Sequence, residues 1–157
     1  MITSIKGQLA DWKYARGNTI RFLQQLSDDD LHKKLPRKTF DTIYEQIAEM
    51  AWVQRCFTKA IEQKSFNDVD WTAPIFDTKA TLLEQMAQFD KQMEQVLEKC
   101  DGTEEIDWFD TIKNINQHLS TMQSHEMMHL GQIIAFCHAL GINIPQDVTS
   151  SMHLTGS

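Results

Sequence analysis

The feature that most constrains how this chain can fold is one long helical stretch near its C-terminal end. It starts at Asp110 or Thr111, contains no proline, and runs to about Leu140. Gly141 suits a left-handed helix end and Pro145 forbids resumption. With successive residues about 100° apart and His129 as reference, Ile115, His118, Met122, His125, Glu126, Gln132, Ile133, Phe136 and Leu140 share one face. That face is apolar at both ends and polar in the middle. Such a helix needs partners to bury its apolar ends, and a polar patch inside the buried stripe costs stability unless hydrogen bonds or a metal satisfy it. His138 falls on the opposite face and is expected to be solvated.

The rest of the chain supplies those partners. From about Ser4 to Gln25, Ile5, Leu9, Trp12, Ile20 and Leu23 recur at helical spacing. Ser27 then caps a short acidic turn, Asp28-Asp29-Asp30, which ends before Pro36. A second long helix is expected over Asp41–Glu62, with Ile43, Ile47, Met50, Phe57 and Ile61 on one side. Its other side, Glu45, Glu49, Trp52, Val53, Cys56 and Ala60, is apolar apart from two glutamates, and a carboxylate there needs a partner if buried. Residues 63–77 have no period and form a connection. Asp77 or Thr78 starts a third helix, with Leu82, Met86, Phe89, Met93 and Val96 as its seam, reaching Cys100 before Gly102. No strand pattern appears. The prediction is an all-α four-helix bundle with a short helix between helices one and two. It forms a single domain over 1–157 with a loose polar tail from about Gln146.

Bulk properties exclude several function classes. Hydrophobic residues are 41% of the 157 and charged residues 24%, the balance of a folded globular domain. A net charge of −7 and the lack of a basic cluster argue against a nucleic-acid partner. Met1–Lys6 lack a signal peptide's apolar core and no window would span a membrane, so a cytoplasmic protein is expected. Cys56, Cys100 and Cys137 are odd in number and far apart, which fits a reducing compartment and small buried side chains.

His125 and His129 lie four residues apart, one turn apart on one face, the spacing by which a single helix offers two ligands to one metal. His125-Glu126-Met127-Met128-His129 also matches the HExxH motif of zinc peptidases, in which Glu126 would be the catalytic base. The downstream sequence argues against that. The extended motif wants glycine at 132 and histidine at 135, where Gln132 and Ala135 stand, and no glutamate follows Glu126. A third ligand must come from upstream.

Here the chain resembles the DinB-like family of metal-binding four-helix bundles, which includes bacillithiol- and mycothiol-dependent transferases. His125, His129, Gly131 and Gln132 resemble the family's HxxxHxGQ signature, followed by Gly141 and Pro145. Leu26–Leu31 is similar to its acidic turn after helix one, and Thr42–Trp52 to its second-helix segment. The family's third ligand is a histidine on helix two, and the matching position here is Glu49. Two histidines and one carboxylate form an established set for zinc and for non-haem iron.

The resemblance therefore implies a divalent-metal enzyme (zinc, nickel, iron or manganese) held by His125, His129 and Glu49. Such an enzyme would act on a small-molecule electrophile with a low-molecular-weight thiol as cofactor. Gln132 and His118 are expected to support the ligands, and Glu126 or His118 to move protons. The resemblance also implies a homodimer. The competing expectation is a non-catalytic bundle that kept the fold, lost the metal with the third histidine, and serves as a binding or dimerisation module.

Overall fold

The computed structural model describes residues 1–155. Four long helices carry the fold: α1 (Thr3–Gln25), α3 (Ile43–Gln63), α4 (Lys79–Glu98) and α5 (Ile115–Leu140). Shorter elements are α2 (Asp28–Leu31), β1 (Glu105–Trp108), β2 (Thr111–Asn114) and α6 (Gln146–Met152). The predicted all-α bundle, with its short helix after the first long one, is therefore what forms. Among the described residues, no helix is long and apolar enough to cross a membrane.

Helix starts follow local chemistry. Thr78 and Thr81 form a reciprocal capping box on α4, and Asn114 and Gln117 form one on α5. Thr42 accepts from the Glu45 amide at the start of α3. Gly141 ends α5 at φ 64°, a left-handed conformation that costs a side-chain-bearing residue about 1–2 kcal/mol.

The buried apolar residues fall into two clusters, and these reveal the helix directions. One cluster takes Phe22 and Leu23 from α1, Ile43 and Ile47 from α3, Leu82 and Met86 from α4, and Ile133 and Phe136 from α5. The other takes Ile5 and Trp12, Phe57 and Ala60, Met93 and Leu97, and Ile115 and Leu119 from the same four helices. So α1 and α5 run one way while α3 and α4 run the other. α5 packs on α1 and α3, and α4 packs on the same two helices. Because α3 and α4 are parallel neighbours, residues 64–78 must travel back along the bundle to join them. Between the two apolar clusters lies a belt of buried polar side chains: Arg16, Thr19, Gln54, Glu126 and His129.

Two expectations are corrected. The stretch before α5 is a hairpin rather than loop and early helix, with Glu105 opposite Asn114 and Trp108 opposite Thr111. Asp107 further bridges Ser65: the Phe66 amide donates to the Asp107 carbonyl at 2.7 Å and the Asp107 amide to the Lys64 carbonyl at 3.0 Å. Four residues expected to be helical are thus committed to strand pairing, and α5 starts at Ile115. The tail is also not loose over α6. Val148 is fully buried, the Tyr14 hydroxyl donates to the Ser151 carbonyl at 2.8 Å, and the Gln25 amide donates to Asp147 at 2.9 Å. Gly156 and Ser157, the last residues of the expected loose tail, lie outside the described residues.

Candidate metal centre

The polar middle of the α5 stripe faces α3 at the belt. His125 Nε2 lies 3.2 Å from His129 Nε2 and 3.2 Å from Glu49 Oε1, and His129 Nε2 lies 2.8 Å from Glu49 Oε2. These three residues are the one group of candidate metal ligands among the described residues. His129 is the most enclosed, its side chain 7% exposed against 12% for Glu49 and 22% for His125.

His129 is also oriented from behind. Its Nδ1–H donates to Gln46 Oε1, one helical turn before Glu49 on α3. A neutral imidazole with its proton on Nδ1 presents a bare lone pair at Nε2. That lone pair faces a carboxylate oxygen which has no hydrogen-bond donor. The contact at 2.8 Å is therefore an ion pair when His129 is doubly protonated, or one edge of a cation site. Burial pushes the Glu49 carboxyl up, but when the two imidazoles carry an extra proton their hydrogen bonds and positive charge outweigh it and hold the group down at about 2. An ionised carboxylate in this place needs a cation, which either a proton or a metal can supply.

The donor set fits a metal. Zinc bonds of about 2.0–2.1 Å in a tetrahedron imply ligand-to-ligand edges of about 3.3 Å. The two imidazole nitrogens, 3.2 Å apart, match such an edge, and Glu49 faces each of them with a different carboxylate oxygen, at 3.2 and 2.8 Å. Nδ1 bound to an acceptor with Nε2 free is the usual arrangement of a metal-binding histidine. Glu49 also lines a cavity of about 430 Å³ whose walls are mainly apolar, with Phe40, Ala48, Trp52, Pro74 and Phe76 around it. A site of three protein ligands beside such a cavity leaves room for a small molecule.

The other expected site residues lie elsewhere. Glu126 is turned toward α1, where Thr19 Oγ1 donates to its Oε1 at 2.6 Å and Arg16 Nη2 sits 3.4 Å from its Oε2. It makes no hydrogen bond to the ligand cluster, because the next residue on a helix points about 100° away. His118 does not support the ligands either. It is two turns away, with Nε2–H donating to the Phe57 carbonyl at 2.9 Å inside a cage of Phe57, Phe66 and Trp108. Burial lowers its pKa to about 4, so it is neutral. Gln132 makes no hydrogen bond to a ligand, and its Oε1 is buried without a partner. The residue that does orient a ligand is Gln46, which sequence reasoning missed. Its spacing of three from Glu49, on the same face of α3, was the available signal.

The cysteines stand apart from the centre. Cys56, Cys100 and Cys137 are buried and unpaired, and burial pushes each thiol up to about 11. None is a ready thiolate.

Residues 11–133 match the family model of the DinB superfamily, a span that contains Gln46, Glu49, His125 and His129. The chain belongs to the DinB superfamily. Its fold is shared with the crystal structure of a DinB-like protein from Bacillus subtilis, 17% identical, at a TM-score of 0.68, covering 88% of this chain and 95% of that one. A DinB-like protein from Bacillus cereus ATCC 10987 is 18% identical at a TM-score of 0.67, covering 89% and 95%. At these identities the likeness concerns the DinB-like fold alone. No functionally curated protein matches the chain.

Proposed function

We propose that this DinB-superfamily chain is a divalent-metal-dependent enzyme. His125, His129 and Glu49 hold the metal, and the cavity beside Glu49 receives a small electrophile. The supporting observation is the meeting of two imidazole nitrogens and a carboxylate within 3.2 Å of one another, beside a cavity and with no arginine or lysine paired to the carboxylate. When bound, a divalent metal stabilises a thiolate or lowers the pKa of a bound water. A thiol-dependent S-transferase is the reaction class we favour. The chain's own thiols are buried and protonated, so the nucleophilic sulfur would come from a small thiol cofactor.

In this reading the protein's residues do three things. Gln46 and α3 fix the direction of His129, Glu49 supplies the negative charge that selects a cation, and Phe40, Trp52 and Phe76 give a small molecule an apolar wall. Glu126 carries no catalytic role, since Arg16 and Thr19 already engage its carboxylate. The HExxH peptidase reading falls with it.

A second reading rests on the same contacts. The two imidazoles can hold Glu49 ionised by carrying an extra proton themselves, which would make the cluster a proton-held remnant in a non-catalytic module. Metal content by mass spectrometry on untagged protein purified without chelators separates the two. Near-stoichiometric metal, lost in Glu49→Ala and His129→Ala, supports the enzyme. No metal after saturation and desalting would sink it and favour the remnant.

A further inference from the structure

Besides Glu49, which belongs to both, one further side chain connects the ligand cluster to the cavity wall. Gln46 is fully buried, and its amide has a partner at each end. Gln46 Nε2 donates to the Phe40 carbonyl at 2.8 Å, while Oε1 accepts from His129 Nδ1. The Phe40 carbonyl can only accept, so the amide nitrogen has to face it. The amide oxygen then faces His129, and Nδ1 has to be the protonated nitrogen. A backbone carbonyl in a loop thereby decides which nitrogen of a ligand histidine is free.

That loop is also the cavity wall. Phe40 lines the cavity with Lys38 and Thr39, and stands at φ 50°, a left-handed conformation that a bulky aromatic residue adopts only when its surroundings impose it. The base of the loop is closed by the Leu35 amide donating to the Asp41 carbonyl at 2.9 Å, and the Asp41 amide donates to Glu45 Oε2 at 2.8 Å. The Gln46 amide holds its interior side at Phe40.

We infer that Gln46 is a positioning residue linking two functions. It fixes His129 Nε2 as the metal-facing nitrogen, and through the same amide it ties the Phe40 wall of the cavity to the state of the ligand cluster. A metal on Nε2 strengthens the Nδ1–H donor, the polarised amide oxygen strengthens the opposite N–H donor, and the loop is held more firmly. Metal loading and ordering of residues 37–42 are then one coupled equilibrium, so each favours the other. This inference rests on the reading of the cluster as a metal site.

Two substitutions separate the functions of the amide. Gln46→Met keeps the length and removes both polar ends. Gln46→Glu keeps an acceptor for His129 Nδ1 and removes the donor to Phe40. The probe is Zn²⁺, with affinity read by competition against a chromophoric chelator, and hydrogen exchange of the 37–42 amides read with and without zinc. Gln46→Met should bind zinc about 10–100-fold more weakly than the parent, the usual loss when a ligand's supporting partner is removed. The parent should gain protection of 37–42 on binding zinc, and its absence would overturn the link to the wall; Gln46→Glu should bind zinc within a few-fold of the parent yet lack that protection.

Zinc bound equally well by parent and Gln46→Met would overturn the positioning role, as would Gln46→Glu binding as weakly as Gln46→Met. Unchanged zinc-dependent protection in Gln46→Glu would overturn the link to the wall. Should Gln46→Met not fold, Gln46→Glu decides alone, since it must keep zinc and release the loop. A parent that binds no zinc, nickel, manganese or iron would bring down the metal reading and this inference together. The other failures leave the metal reading standing.

Discussion

Two carboxylates, Glu126 buried on the polar belt and Glu49 half-buried beside it, are answered in opposite ways. Glu126, 2% exposed, lies against the fixed cation of Arg16, itself 2% exposed, with Thr19 donating and Gln54 and Asp90 around the guanidinium. The contacts of Arg16 in this group run from 3.4 to 3.6 Å, and Arg16 Nε and Nη1 have no hydrogen-bond partner. Glu49 has no arginine or lysine. It meets two imidazoles at 2.8 and 3.2 Å, and they are cationic only if they carry an extra proton. The Arg16 group brings its own countercharge, whereas the Glu49 group leaves its countercharge to be supplied. Adjacent residues of one helix turn, His125 and Glu126, thus serve different ends. A carboxylate with a fixed guanidinium beside it reads as architecture, and one that meets only imidazoles reads as a candidate site.

The largest break in this comparison should come from Arg16→Met. It leaves Glu126 buried without its cation and should cost about 3–5 kcal/mol in urea unfolding, with Glu126→Gln in the same background restoring much of it. A cost under about 1 kcal/mol would mean that Arg16 is not the countercharge, and would erase the contrast.

Glu49→Gln should act the other way. Lacking the negative charge, it should lose zinc affinity by more than the roughly 100-fold seen for a supporting residue, about 2.7 kcal/mol, while the apo protein stays folded. Equal zinc affinity in Glu49→Gln would remove Glu49 from the ligand set.

A third test uses pH. Burial raises Asp90 to about 6 against an unfolded value of 3.8, and Glu126 and Glu94 add to the rise, although Arg16 opposes it. Between these values the unfolded chain has released the proton that the folded chain keeps. Stability should therefore fall as pH rises from about 4 to about 6, by up to roughly 3 kcal/mol. Asp90→Asn should flatten that window in urea titrations. An unchanged slope would show that Asp90 is effectively solvated.

The smallest effect belongs to the loop. Phe40→Gly relieves a left-handed aromatic residue but adds freedom to the unfolded chain, so thermal unfolding should shift by less than about 1 kcal/mol. A large loss would place Phe40 in the packing of the bundle rather than in a cavity wall.

The four helices were legible because each repeats apolar residues over many turns, a signal that survives one glycine or one polar residue. The hairpin was not. Its strands are four residues each, Ile106 is the one buried residue in them, and their pairing depends on Lys64–Phe66, some forty residues away in sequence. α6 was hidden for the same reason, since its single buried side chain is Val148. At the site, His125 and His129 announce themselves by spacing alone, whereas Glu49 needed the family resemblance. The partner of Glu126 was visible in principle. Arg16 stands four residues after Trp12 and three before Thr19, on the buried face of α1, where an apolar residue would be routine.

The parallel placement of α3 and α4 has a consequence for how such a chain can change over generations. It obliges residues 64–78 to run back along the bundle as a strap, and Ala73, Pro74 and Phe76 of that strap border the cavity while the ligands sit on α3 and α5. Phe66 and Val69 anchor one end of the strap in the core, but its exposed part, residues 70–77, can change with little disturbance to the helices that carry His125, His129 and Glu49. Drift in that part of the strap would then reshape the cavity while the histidine–glutamate cluster on α3 and α5 stays as it is.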